Sequence, residues 1–136
     1  MQALLDQTFA ASSRALAAVR AALREACQQA GCGEECAEQC VLAVNEACMN
    51  VIQHGYQFAD GQHFTLRLGI ADGVLQAQLL DNGVLATDAD LCPRALDELR
   101  PGGLGVLFMR ELMDQVGYQL APQGFTNCLQ LTKRIY

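Results

Sequence analysis

From Val41 to Tyr56 the chain reads VLAVNEACMNVIQHGY, and its apolar positions Val41, Val44, Cys48, Val51 and Ile52 recur at helical spacing. One helix is predicted there. Its other side carries Glu46, Asn50 and His54, each four residues from the last and so stacked along the axis, with Gln53 beside them. That stripe holds no Lys or Arg and is flanked by Leu42 and Met49, Ala43 and Ala47. A carboxylate, an amide and an imidazole between small and apolar neighbours fit the wall of a site as well as they fit a solvated face.

Upstream, residues Ala3–Phe9 alternate loosely, as a short edge strand would. Ser12 then opens SSRALAAVRAALREACQQAG, a helix with Ser12 or Ser13 as cap, Leu16, Val19 and Leu23 as its apolar stripe, and Gly31 as its stop. Glu34 and Glu35 suit the first turn of the next helix, which runs on into 41–56.

Downstream the period switches to two. His63–Ile70 and Val74–Leu80 alternate, and the Asp72-Gly73 turn between them makes a hairpin. Residues 84–101, with Asp88, Asp90, Arg94, Pro93 and Arg100, are irregular and read as a mobile lid reaching to about 104. Gly102-Gly103-Leu104-Gly105 leads into VLFMRELMDQV, a helix expected to end at Gly117. Two short strands, Tyr118–Ala121 and Phe125–Arg134, close the chain around Pro122-Gln123-Gly124. Strand, two helices, hairpin, lid, helix, hairpin is the order of an α+β fold: one domain over 1–136, a two-layer sandwich with a mostly antiparallel sheet packed on helices.

Charge narrows the function classes. The 136 residues carry a net charge of −6, and Lys133 is the only lysine, which argues against a nucleic-acid backbone as partner. No apolar run approaches membrane-spanning length and the first residues lack the regions of a signal peptide, so the expected location is cytoplasmic, with no membrane partner. Seven cysteines then read as free thiols. Cys32, Cys36 and Cys40 would share one helix face, and packing is the commoner use of such a set than metal binding.

The chemistry lies in three segments. Two glycines before a helix N-terminus let unsatisfied backbone N–H groups approach an anion, so Gly102–Gly105 is a candidate phosphate loop. It lacks the lysine of a GxxxxGK[ST] motif, which leaves backbone amides and a divalent cation to neutralise phosphate. Asn50 is a suitable oxygen ligand for Mg²⁺, and Glu46, one turn earlier, can act as a base near the γ-phosphate or orient a bound water. Asp81-Asn82-Gly83 ends a buried strand.

NEACMNVIQHGY resembles the N-box of the GHKL ATPase superfamily of DNA gyrase B, heat-shock protein 90, MutL and the histidine kinases. Asp81-Asn82-Gly83 resembles its G1 box and Gly102–Gly105 its G2 box. Within the superfamily, EAxxNxxxHGY followed by GGLGxxxxxxLMD is most similar to the anti-sigma-factor serine/threonine kinases of bacterial partner switching. The resemblance spans nearly the whole chain.

It implies the Bergerat ATP-binding fold, ATP and Mg²⁺ as cofactors, and a role for each matching residue. Glu46 would be the catalytic base toward a partner's serine. Asn50 would hold Mg²⁺, and Asp81 would accept a hydrogen bond from the adenine amino group. Gly83 would allow a close turn under adenine, while Gly103, Leu104 and Gly105 would wrap the phosphates. His54 matches the motif with a structural role. Arg94 and Arg100 would reach the phosphates or remain solvated. Members often have Thr near adenine at the last strand, a place open here to Thr126 or Asn127, and VLATDAD after Gly83 lacks a second glycine. The implied partners are a sigma factor, a STAS-domain antagonist whose serine is phosphorylated, and a second copy of the chain as a homodimer. The alternative is an ATP-binding switch that sequesters a partner without phosphorylating it.

Overall fold

The computed structural model describes the chain apart from residues 92–102, and apart from the side chains of residues 103–106. Arg94 and Arg100, with most of the expected lid, lie outside the described residues. Strand β1 (Gln2–Ala10) is followed by a 3₁₀ turn at Ser13–Ala15, helices α1 (Leu16–Gln29) and α2 (Glu34–Asn50), and a π turn at Val51–Gly55. Strands β2 (His63–Ala71) and β3 (Val74–Asp81), a 3₁₀ turn at Asp88–Leu91, helix α3 (Gly103–Leu112), and strands β4 (Gln115–Gln119) and β5 (Asn127–Arg134) complete it. The strands form one sheet in the order β1-β2-β3-β5-β4, every neighbouring pair antiparallel. This is the expected α+β architecture, with β1 at the predicted edge.

The β2–β3 hairpin closes through Asp72 and Gly73, both at positive φ (52° and 76°), the type I′ geometry that matches strand twist. Alternation then sorts the two faces. Phe64, Leu66, Leu68 and Ile70 of β2 stand opposite Asp81, Leu79, Ala77 and Leu75 of β3, and this face packs on the helices. Val19 and Leu23 from α1 and Val41, Val44 and Cys48 from α2 meet it, all 0–1% exposed. Each such aliphatic side chain contributes about 1.5–3 kcal/mol of burial. The row Leu75, Ala77, Leu79 ends in Asp81, so the last position of an apolar row is a carboxylate.

Three sequence-based expectations need correction. The helix at 41–56 is α-helical only to Asn50, where the wider π turn replaces it. Helix α3 stops at Leu112 instead of Gly117, and Gln115–Gln119 is strand. Contacts to β5 draw the chain out of the helix: Asp114 N–H donates to Thr132 O at 2.9 Å, and the Asp114 carboxylate accepts Arg134 N–H at 2.6 Å. Val116 and Tyr118 then pair with Leu131 and Leu129. Finally, Ser12 begins the first helical segment through its backbone, with no side-chain capping bond.

Candidate functional site

Glu46 and Asn50 lie one turn apart near the C-terminal end of α2, both half-buried, and neither side chain has a protein partner among the described residues. The neighbouring Asn45 is engaged instead, accepting from Arg20 at 3.1 Å. The π turn breaks the four-residue register after Asn50, and His54 is exposed rather than continuing the stripe. Of the three stacked residues, two form a wall and one faces water.

Asp81 is 4% exposed. Its Oδ1 accepts Gly83 N–H at 2.8 Å and the Asn127 amide at 3.0 Å, while Oδ2 has no protein partner among the described residues. Burial pushes the Asp81 carboxyl above its ordinary value, and the Asn127 and Gly83 donors pull against that shift. A half-satisfied buried carboxylate with one free oxygen is suited to accept a hydrogen bond from a ligand's amino group.

The turn after Asp81 is locked to the end of the π turn. A Cβ at Gly83 would lie 2.6 Å from the carbonyl carbon and oxygen of Gly55, backbone that cannot move aside, whereas a Cβ at Gly55 would meet only ordinary contacts, the nearest at 3.8 Å. Val84 N–H donates to Gly55 O at 3.0 Å. What demands glycine at 83 is therefore this backbone-to-backbone approach. Tyr56 reinforces it, its phenol donating to His63 O at 2.7 Å and accepting Asn82 N–H at 2.8 Å.

Asn127 and Thr126 part company. Asn127 is buried; besides Asp81 it donates to Val84 O at 2.9 Å and accepts Ala86 N–H at 2.9 Å, so it carries the first residues of the lid segment as well. Thr126 is exposed, bonded to the turn through Asn82 Oδ1. Further on, Asp88 Oδ1 accepts Tyr118 N–H at 2.7 Å and buried Leu91 receives Arg110 Nε on its carbonyl at 3.0 Å. Tyr56 and Asn127 are the residues to which motif reading gave no settled role, Tyr56 as an unassigned motif position and Asn127 as an undecided alternative.

Gly103, Leu104 and Gly105 are the first turn of α3 rather than a loop before it, and α3 packs on α2, the helix of Glu46 and Asn50. Free N–H groups of a helix's first turn, and its dipole, favour an anion. A cavity of about 390 Å³ lined by Arg110, Asp114, Gln119 and Gln130 shares no residue with Glu46, Asn50 or Asp81.

Residues 9–133 match the family described as the histidine kinase-like ATPase domain. The chain belongs to that family. Within it, the chain is 34% identical over 86 residues to the serine-protein kinase RsbW of Bacillus subtilis, covering 57% of this chain and 54% of that one. Against RsbW of Bacillus pumilus it is 35% identical over 95 residues, covering 62% and 58%. The chain thus spans a little over half the length of these relatives. Its fold matches the structure of the RsbU and RsbW domains of Rv1364c from Mycobacterium tuberculosis, with a TM-score of 0.69 at 23% identity over 96% of this chain and 32% of that one. The histidine kinase-like ATPase family accounts for ATP as the ligand class, and the named relatives are kinases acting on protein serine. None of the described helices is long and apolar enough to cross a membrane.

Proposed function

We propose that the chain is an ATP-dependent serine protein kinase that acts as an anti-sigma factor, phosphorylating a STAS-type antagonist. The observation that carries this reading is Glu46, a half-buried carboxylate with no protein partner among the described residues, one turn from Asn50. A carboxylate held for structure would be paired. One kept free beside a nucleotide site is placed to accept a proton. Asp81 and Asn127 would receive adenine, Gly83 keeps the turn close, and the first turn of α3 would meet phosphate. Arg100 and Thr126 remain candidates for phosphate and adenine contacts respectively.

The donor set fits Mg²⁺, a hard cation that takes one or two protein oxygens and completes its shell with water and phosphate. Asn50 would hold it, and it would supply charge neutralisation that Lys133 does not, since that lysine is spent on Leu112 O at 2.7 Å. In the transfer itself the serine oxygen bonds to the γ-phosphorus as the bond to the β–γ bridging oxygen breaks and ADP leaves; Glu46 takes the hydroxyl proton.

Incubation with Mg-ATP and a STAS-domain protein should yield phosphoserine on that protein. Glu46→Ala should lower the rate about 10²–10⁴-fold with ATP still bound, whereas Asn50→Ala should weaken Mg-ATP binding. Transfer unaffected by Glu46→Ala would overturn the assignment, and partner capture without any transfer would leave an ATP-dependent sequestering switch. The sigma factor and the homodimer belong to the same proposal and are tested by co-sedimentation.

A further inference from the structure

The turn between α1 and α2 gathers Cys27, Cys32, Cys36 and Cys40, thiols for which the nucleotide site has no use. Helix α1 ends there in a Schellman motif. Gly31 N–H donates to Gln28 O and Cys32 N–H to Cys27 O, both at 3.0 Å, with Gly31 at φ 76°, a conformation that favours glycine. This motif brings the side chains two positions beyond the helix and three before its end into contact, normally two apolar residues. Here both are cysteines, Cys27 before the cap and Cys32 beyond it.

Cys27 and Cys40 are 0% and 1% exposed, whereas Cys32 and Cys36 are half-exposed. Among the described residues no group of three or more His, Cys, Asp or Glu side chains could hold a metal ion. What remains is an accessible thiol backed by a shielded one across a fixed turn.

We propose that Cys32 and Cys27 form a reversible disulfide in response to peroxide, making the α1–α2 turn an oxidation site. Cys32 sulfur takes one oxygen from hydrogen peroxide and releases water, becoming a sulfenic acid. Cys27 sulfur then attacks Cys32 sulfur; hydroxide leaves and takes the Cys27 proton as a second water. Two thiols lose two electrons, which peroxide accepts. Burial, then the neighbouring thiols, push the Cys32 thiol up to about 12. The neighbouring Cys40 thiol pulls the Cys27 thiol below its ordinary value, against burial. The Cys27–Cys40 pair has no half-exposed member to meet the oxidant first.

The test treats the reduced full chain with hydrogen peroxide, alkylates it under denaturing conditions and cleaves after glutamate. Residues 26–34 then form one peptide holding Cys27 and Cys32 and no other cysteine. That peptide should be two hydrogens lighter and unalkylated, and dithiothreitol should restore alkylation of all seven thiols. Cys32→Ser should abolish the change and Cys36→Ser should leave it. Cys27→Ala should accumulate a dimedone-reactive sulfenic acid on Cys32 that the wild type does not. Full alkylation after peroxide, a link joining 26–34 to any other peptide, or a bond surviving Cys32→Ser would each overturn the proposal.

Discussion

Asp81 shows how a single residue can cost the empty protein stability for the sake of a ligand. Its carboxylate sits at the end of a buried apolar row, and its folded pKa is raised chiefly by burial. The folded chain therefore holds the Asp81 proton more tightly than the unfolded chain does. The stability this gives is fully present below the ordinary carboxylate value and is lost as pH rises through the raised folded value. Asp81→Asn keeps an oxygen to accept from Gly83 and Asn127 but removes the buried charge. At pH 7 the nucleotide-free variant should be as stable as wild type or more so by up to about 1 kcal/mol, and the difference should shrink as pH falls below the ordinary carboxylate range. ATP affinity should drop at least about tenfold, since an adenine amino group loses a charged acceptor. Urea denaturation at both pH values, with calorimetric ATP titration, reads both effects. A variant clearly less stable at pH 7 would mean that the charged hydrogen bonds outweigh the burial.

Between elements, one phenol bridges three segments. Tyr56 joins the end of the π turn to the start of β2 and to the turn after β3. Tyr56→Phe keeps the ring's packing but leaves Asn82 N–H and His63 O without that partner. Unfolding in urea should show a loss of about 1–3 kcal/mol at an unchanged denaturant slope; no loss would mean that water replaces the phenol. Neither contact is written in the local sequence, because each depends on where distant strands end. The hairpin was legible, since strict alternation and Asp72-Gly73 fix its face and turn together. The end of α3 was not, because Val116 continues a helical apolar spacing and only pairing with β5 recruits it to the sheet. The π turn escaped for a similar reason: residues 51–54 hold no proline or glycine, and helical periodicity does not count turn width. In the site, Glu46, Asn50 and Asp81 stood out by motif, whereas Asn127 was separated from Thr126 only by strand register, which turns 127 inward opposite Asp81.

For the molecule as a whole, the question is how a chain of net charge −6 would hold a triphosphate. Its one lysine caps the last carbonyl of α3, and Arg24 is paired with Glu38 at the opposite end of α2 from Asn50. With those two engaged elsewhere, cation-dependent binding is the expected outcome. A ligand that binds only the folded chain stabilises it by about 2.7 kcal/mol at one hundred times its Kd, and Mg-ATP should approach this in a denaturant titration. With EDTA, ATP at the same concentration should leave the midpoint nearly unmoved, and Asn50→Ala should show the smaller effect even with Mg²⁺ present. The stabilisation should also be local. Amide exchange should slow at the π turn after α2, at 81–91 and at Asn127, which are joined by direct hydrogen bonds, and change little in β1, at the far edge of the sheet. Equal stabilisation by ATP with and without Mg²⁺ would mean that backbone amides and arginines suffice, and would remove Asn50 as a metal ligand while leaving Asp81 and Asn127 as the adenine site.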